Sequence, residues 1–249
     1  MREIDLNADI GELESGGSDA ALVPLLSSAN IAGGMHAGNR ATMSRSIALC
    51  LENDVAMGAH PSFPDREGFG RRAMTMPAAE LRNVLLQQID ALSVMARAQG
   101  ARLRHVKPHG ALYNIAATHR GVAETLTEAI RQYDPALMLV GLAHSRLAEC
   151  ARESGLVFIA EGFADRRYSA GAILLDRSHP RAMIDDEREM EAQVSRMVLE
   201  RFVIAEDGSR VPLSVDTICV HGDGANAFAF AQRITRLLSG SGVKIGARR

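Results

Sequence analysis

Short apolar runs alternate along the chain with longer amphipathic stretches. Ile4–Asp9, Ser28–Ala32, Val55–Ala59, Leu103–His109, Leu137–Gly141, Val157–Glu161 and Thr217–His221 read as buried strands, and Val243–Ile245 is a weak terminal candidate. The clearest helix is Pro77–Gln99, where Leu81, Leu85, Ile89, Leu92 and Met95 keep a spacing of three or four. Pro77 suits its first turn and Gly100 its C-terminal cap. Gly121–Tyr133, Leu147–Glu153, Glu187–Phe202 and Asn226–Leu238 carry further helical patterns. Regular βα alternation predicts parallel strands. Seven or eight such units without a linker predict one α/β domain over residues 1–249, a closed or nearly closed parallel β/α barrel, with an open doubly wound sheet as the alternative. Two connections, His60–Met76 and Gly162–Asp186, exceed the usual length. Both follow strands, so both are expected to act as lids or binding loops over one face. Glu206–Leu213 reads as a hairpin turn around Asp207-Gly208, on the opposite, N-terminal approach.

Side chains alternate along a strand. In EIDLNADIGE, Ile4, Leu6 and Ala8 therefore face the helices, while Asp5, Asn7 and Asp9 face the barrel interior or mouth. By the same count His105, Lys107 and His109 share a face, as do Val157, Ile159 and Glu161, and Thr217, Cys219 and His221. Pro108 argues against a helical His105/His109 pair. A buried ammonium needs a counter-charge, and for Lys107 the natural partners are Asp9 and Glu161.

Four of the eight histidines, His36, His60, His109 and His221, fall at or beside strand C-termini. Strand C-termini converge on the face where parallel α/β folds build chemistry. Asp9, Lys107, His109 and Glu161 are the candidate catalytic residues. Asn7, Asn30, His36, His60, Arg71, Arg72, Asp165, His221 and Asp223 are candidate substrate contacts. Arg71-Arg72 close a Gly-rich loop suited to carboxylate or phosphate capture. Asp223 is placed to cap the last helix. Asp9, His36 and His60 form a one-carboxylate, two-imidazole set suited to a divalent ion. HExxH and short ligand spacings are absent from the sequence, so no tightly bound metal is expected.

Composition narrows the function classes. Net charge of -2 and the absence of Trp give no nucleic-acid signature. Apolar runs fall short of a membrane span, and the N-terminus reads as an acidic strand rather than a signal peptide. The cytoplasm is the expected compartment. Cys50, Cys150 and Cys219 are widely spaced and are expected to pack as small hydrophobes. No GxxxxGK[ST] motif occurs, so ATP would bind through other contacts or on another polypeptide of a complex.

DLNADIGE (residues 5–12), SSANIAGGMHAGN (27–39), GAHPSFPDREGFGRR (58–72), HVKPHGALYN (105–114), FADRRY (163–168) and ICVHGD (218–223) follow one another over nearly the whole chain. In this order they resemble the LamB/YcsF family. The resemblance implies a seven-stranded barrel of the glycoside hydrolase/deacetylase, TIM-like type. It also implies ATP-dependent opening of 5-oxo-L-proline to L-glutamate by a 5-oxoprolinase, of which this family supplies the A subunit. Partner subunits B and C, and Mg accompanying ATP, belong to the same expectation. Other readings of the residues are a stand-alone metal-dependent deacetylase or amidohydrolase, and a non-catalytic subunit. Departures from the family pattern fall at Gly33, Asn39, Gly224 and Ala225, and at Leu174–Arg177, which reads LLDR. Asn39 removes a carboxylate near His36.

Overall fold

The computed structural model describes residues 2–220 and 227–248. Its strands are β1 (Glu3–Ile10), β2 (Ser28–Ala32), β3 (Ala56–His60), β4 (His105–Val106), β5 (Met138–Leu142), β6 (Phe158–Phe163), β7 (Phe202–Ile204), β8 (Arg210–Pro212), β9 (Thr217–Val220) and β10 (Lys244–Ile245). The helices are α1 (Asp19–Leu22), α2 (Arg40–Glu52), α3 (Ala78–Ala98), α4 (Gly110–Thr118), α5 (Arg120–Tyr133), α6 (Arg146–Ser154), α7 (Glu187–Ser195) and α8 (Ala227–Gly240).

Strands β1, β2, β3, β4, β5, β6 and β9 pair in parallel in that order, and β9 returns to β1. Among the described residues this closes a seven-stranded barrel, and the open-sheet alternative fails. The weak terminal candidate is real but short: β10 pairs with the start of β1 through Glu3–Lys244 and Ile4–Ile245. No described helix is long and apolar enough to cross a membrane.

The outer layer follows the apolar periodicity. Leu81, Leu85, Ile89, Leu92 and Ala96 of α3 are buried against the sheet. Each of Ile4, Leu6 and Ala8 is at most 2% exposed. Inside the barrel the filling is polar. Aliphatic layers usually occupy such an interior; here Asn7, Asn30, His105, Lys107, Glu161 and Thr217 do, all buried.

Several sequence expectations need correction. Only His105–Val106 of the Leu103–His109 segment is regular strand. Pro108 cannot donate, yet the N–H groups of Lys107 and His109 still bond to the carbonyls of Ala59 and Pro61. Immediately afterwards α4 begins, a helix that the apolar spacing does not announce. The Glu187–Phe202 helix stops at Ser195, passes through a π-turn at Arg196–Glu200, and Phe202 starts a strand. The β7–β8 hairpin, expected away from the long loops, meets one of them. The Glu206 N–H donates to the Tyr168 carbonyl, which ties the hairpin turn to the 162–186 connection.

Neither long connection is a detached flap. In the first, Asp65 accepts the N–H groups of Gly68 and Arg72. The Gly70 carbonyl accepts the N–H of Ala111 at the start of α4. In the second, Gln193 Nε2 on α7 donates to the carbonyls of Phe163, Ala164 and Arg166 at 2.9, 3.1 and 2.8 Å. Tyr168 is fully buried, its hydroxyl accepting the Phe163 N–H.

Candidate active site

A chain of amides and charges runs up the barrel axis. Lowest is Asp5, which accepts from Ser27, Ser28 and Thr217 hydroxyls at 2.6, 2.8 and 2.5 Å. Burial raises its pKa against the pull of those three donors. Above it, Asn7 Nδ2 donates to Thr217 Oγ1 and to Glu161 Oε1. Asn30 Nδ2 donates to Asn7 Oδ1 and to Asp9 Oδ1, both at 2.9 Å. His105 Nε2 donates to Asn30 Oδ1 at 2.7 Å. Burial, then the charge of Lys107, pushes the His105 imidazole down to about 3, so it stays neutral.

The fit of His105 depends on Gly58. A methyl group at Gly58 would lie 2.2 Å from His105 Cδ2, so no side chain is tolerated on β3 at that point. The imidazole fills the space and orients Asn30.

Lys107 Nζ stands at the centre, 2.8 Å from Glu161 Oε1 and 3.0 Å from Asp9 Oδ1. Burial opposes its charge, but the two carboxylates outweigh burial and hold the ammonium well above the ordinary lysine value. Nζ also approaches Cys219 Sγ at 3.1 Å. Cys219, buried with the core as expected, thus also touches the polar interior. Its thiol is kept protonated, chiefly by burial.

At the C-terminal ends of the strands Asp9, Glu12, His60, Arg71, Lys107, His109, Tyr113, Asn114, Phe163, Arg166 and Arg177 line a cleft. His60 Nδ1 donates to the Lys107 carbonyl at 2.8 Å, and His109 Nε2 donates to the Phe69 carbonyl at 2.9 Å. The other two ring nitrogens, His60 Nε2 and His109 Nδ1, face each other at 2.9 Å. Asp9 Oδ2 lies 3.2 Å from the former. Burial, then neighbouring His60, pushes His109 down to about 3. His36 stacks on His109, ring centroids 3.9 Å apart, and burial holds it neutral too. Glu12 Oε1 is 3.5 Å from His36 Nε2 and 3.6 Å from His109 Nδ1.

Of the residues expected from sequence, Asp9, His60, Arg71, Lys107 and His109 reach the cleft. Asn7, Asn30 and Glu161 lie beneath it and position Lys107 and Asp9. His36 backs the histidine cluster. Arg72 does not join: its guanidinium turns to Asp65 and Glu67 and is mostly exposed. Asp165 is buried in the second long connection, where its carbonyl accepts the Ile184 N–H, and is not among the cleft-lining residues. His221 and Asp223 lie outside the described residues.

Glu12, Tyr113, Asn114 and Arg177 reach the cleft without having been expected there, and Arg166 of the second long connection joins them. Glu12 follows the end of β1, where Gly11 turns with φ +73° and donates its N–H to Asp19. Strand alternation stops at that turn, so a count along β1 cannot reach Glu12. Its place closing DLNADIGE was the available signal. Asn39 belongs to local structure: its side chain accepts from Ala41 and Thr42 N–H and caps α2. Asn and Asp cap equally well.

The LamB/YcsF family model matches residues 4–249. The chain belongs to the LamB/YcsF family. A relative from Methylococcus capsulatus, named as the A subunit of 5-oxoprolinase, is 47% identical over 249 residues, covering 99% of this chain and 96% of the relative. The crystal structure of a lactam utilization protein from Thermus thermophilus superimposes with a TM-score of 0.93 at 41% identity, covering all of both chains. A family 4 carbohydrate esterase from Streptomyces lividans shares the fold, with a TM-score of 0.51 at 15% identity over 99% of this chain and 92% of the esterase. The LamB/YcsF motifs therefore cluster spatially: among the described residues, four of the six quoted segments supply side chains to one cleft.

Proposed function

We propose that this chain is the A subunit of an ATP-dependent 5-oxoprolinase, opening 5-oxo-L-proline to L-glutamate. What supports the reading is the charge pattern of the cleft, in a chain 47% identical to a relative of that name. Lys107, Arg71, Arg166 and Arg177 bring cations beside Asp9, Glu12 and the neutral His109.

A five-membered lactam is a stabilised amide with a poorly electrophilic carbonyl. Transfer of a phosphoryl group from ATP to the amide oxygen activates it. Water then adds at the carbonyl carbon and gives up a proton. The ring C–N bond breaks as nitrogen gains a proton, and a second water releases phosphate from the acyl phosphate. Arginines hold the substrate carboxylate and the phosphoryl group. The Lys107 ammonium offsets negative charge developing on oxygen. Asp9 or the unprotonated nitrogen of His109 takes the proton of the attacking water. ATP, with Mg, binds through contacts other than a P-loop or on a partner polypeptide, since this chain has no GxxxxGK[ST] motif.

Mixing the purified chain with subunits B and C, ATP, Mg and 5-oxoproline should yield glutamate. Absence of glutamate, with the same partners active beside a different LamB/YcsF chain, would refute the proposal. Unchanged activity in Lys107→Ala and His109→Ala would move the chemistry to a partner.

A further inference from the structure

Three imidazoles and two carboxylates converge at the mouth of the barrel. A carbonyl oxygen only accepts, so the contact with the Lys107 carbonyl places the His60 proton on Nδ1, and that with the Phe69 carbonyl places the His109 proton on Nε2. His60 Nε2 and His109 Nδ1 then face each other across 2.9 Å. Two further acceptors, Asp9 Oδ2 and Glu12 Oε1, stand 3.2 and 3.6 Å from these nitrogens. Such a gathering of acceptors calls for a positive charge between them, a shared proton or a metal cation. His36 supplies an independent sign. It is 1% exposed, neither of its ring nitrogens makes a hydrogen bond among the described residues, and Nε2 lies 3.5 Å from Glu12 Oε1.

We infer that Glu12, His36, His60 and His109 form a binding site for a divalent transition-metal ion of the zinc class. Their ligand atoms all lie within 4.8 Å of one another. A tetrahedral ion with bonds of about 2.05 Å separates its ligand atoms by about 3.3 Å. Three of the contacts among these atoms, at 2.9, 3.5 and 3.6 Å, straddle that edge length. Three imidazoles and one carboxylate suit zinc, cobalt or nickel rather than magnesium or calcium, which prefer all-oxygen sets. The two backbone carbonyls act as outer partners that fix the ligating tautomers, a regular feature of histidine metal sites. This ligand set differs from the Asp9, His36, His60 set suggested by sequence, since Glu12 and His109 enter and Asp9 stands beside. An ion held there faces the cleft through His60, His109 and Glu12, next to Lys107. The inference rests on these contacts alone and stands or falls independently of the 5-oxoproline assignment.

Full-length protein, stripped with a chelator and titrated with zinc by calorimetry, should bind one ion per chain. Cobalt should give the visible absorption of a low-coordinate nitrogen and oxygen site. His36→Gln and Glu12→Gln should each weaken zinc binding at least about 10-fold, with Arg72→Ala, on the exposed rim, unchanged. Circular dichroism confirms that each variant is folded. Should a variant fail to fold, the wild-type cobalt spectrum decides, since its intensity reports whether the ion sits in a low-coordinate protein site. No stoichiometric binding to wild type, or equal binding by folded His36→Gln, would overturn the site.

Discussion

Lys107 Nζ and Glu161 Oε1 meet 2.8 Å apart inside the barrel, with Glu161 fully buried and Lys107 2% exposed. β4, which Lys107 directly follows, and β6, which carries Glu161, are not neighbours: β5 lies between them. The pair spans the interior, and Asp9 of β1 completes it from a third direction.

Breaking that pair leaves buried carboxylates without their cation. Lys107→Met should therefore cost about 3–5 kcal/mol in denaturant unfolding. Lys107→Met with Glu161→Gln should recover part of this loss, because one stranded charge is gone. If the single variant is as stable as wild type, the central ammonium is not what compensates these carboxylates.

Acid should act through His105. Its folded-state pKa lies at about 3, below the ordinary value of 6.5. A depressed value means the unfolded chain takes up the proton first as pH falls. The contribution of His105 is whole above about pH 6.5 and is lost toward pH 3, at about 1.4 kcal/mol per pH unit for one proton. In His105→Asn the slope of unfolding free energy against pH should flatten by about one proton. Identical slopes in the two proteins would exclude His105 as the titrating group.

Gly58 and His105 should be coupled. A β-carbon at residue 58 has no room beside the ring, so Gly58→Ala should cost roughly 1–3 kcal/mol. Added to His105→Ser, which removes the ring, the same change should cost far less. Additive effects in the double-mutant cycle would show that the clash is relieved elsewhere.

The adjacent arginines of GFGRR should behave differently. Arg71 lines the cleft and Arg72 does not. If the proposed activity holds, Arg71→Ala should lower kcat/KM for 5-oxoproline by about 10-fold or more, as expected for a lost charged contact. Arg72→Ala should stay within about twofold. A reversed order in steady-state assays would reassign the anion contact.

Gln193 should hold the second long connection in place. Gln193→Leu strands three carbonyls and should cost about 1–3 kcal/mol. Limited proteolysis should then cut between residues 164 and 186 faster than in wild type. An unchanged cleavage rate would mean that Tyr168 and the β7–β8 hairpin anchor the segment without it.

Much of this arrangement is legible in the sequence. Alternation in EIDLNADIGE puts Asp5, Asn7 and Asp9 on the inner face because a strand offers its side chains only two directions. Lys107 takes Asp9 and Glu161 as partners because a buried ammonium has few alternatives, and both partners are present. Ring closure follows from the run of βα units and is seen in the β1–β9 pairing. Loops are harder. Arg71 and Arg72 look identical in sequence, and only the turn around Asp65 separates them.

By itself, then, the sequence determined the βα order, the inward polar set and the family, since these rest on local periodicity and ordered motifs. Which imidazole nitrogens face each other, how Glu12 enters after the Gly11 turn, and why Arg166 reaches the cleft while Arg72 leaves it were decided by tertiary structure alone. Those features depend on carbonyls and loop turns contributed by distant segments, whose relative placement no local pattern encodes.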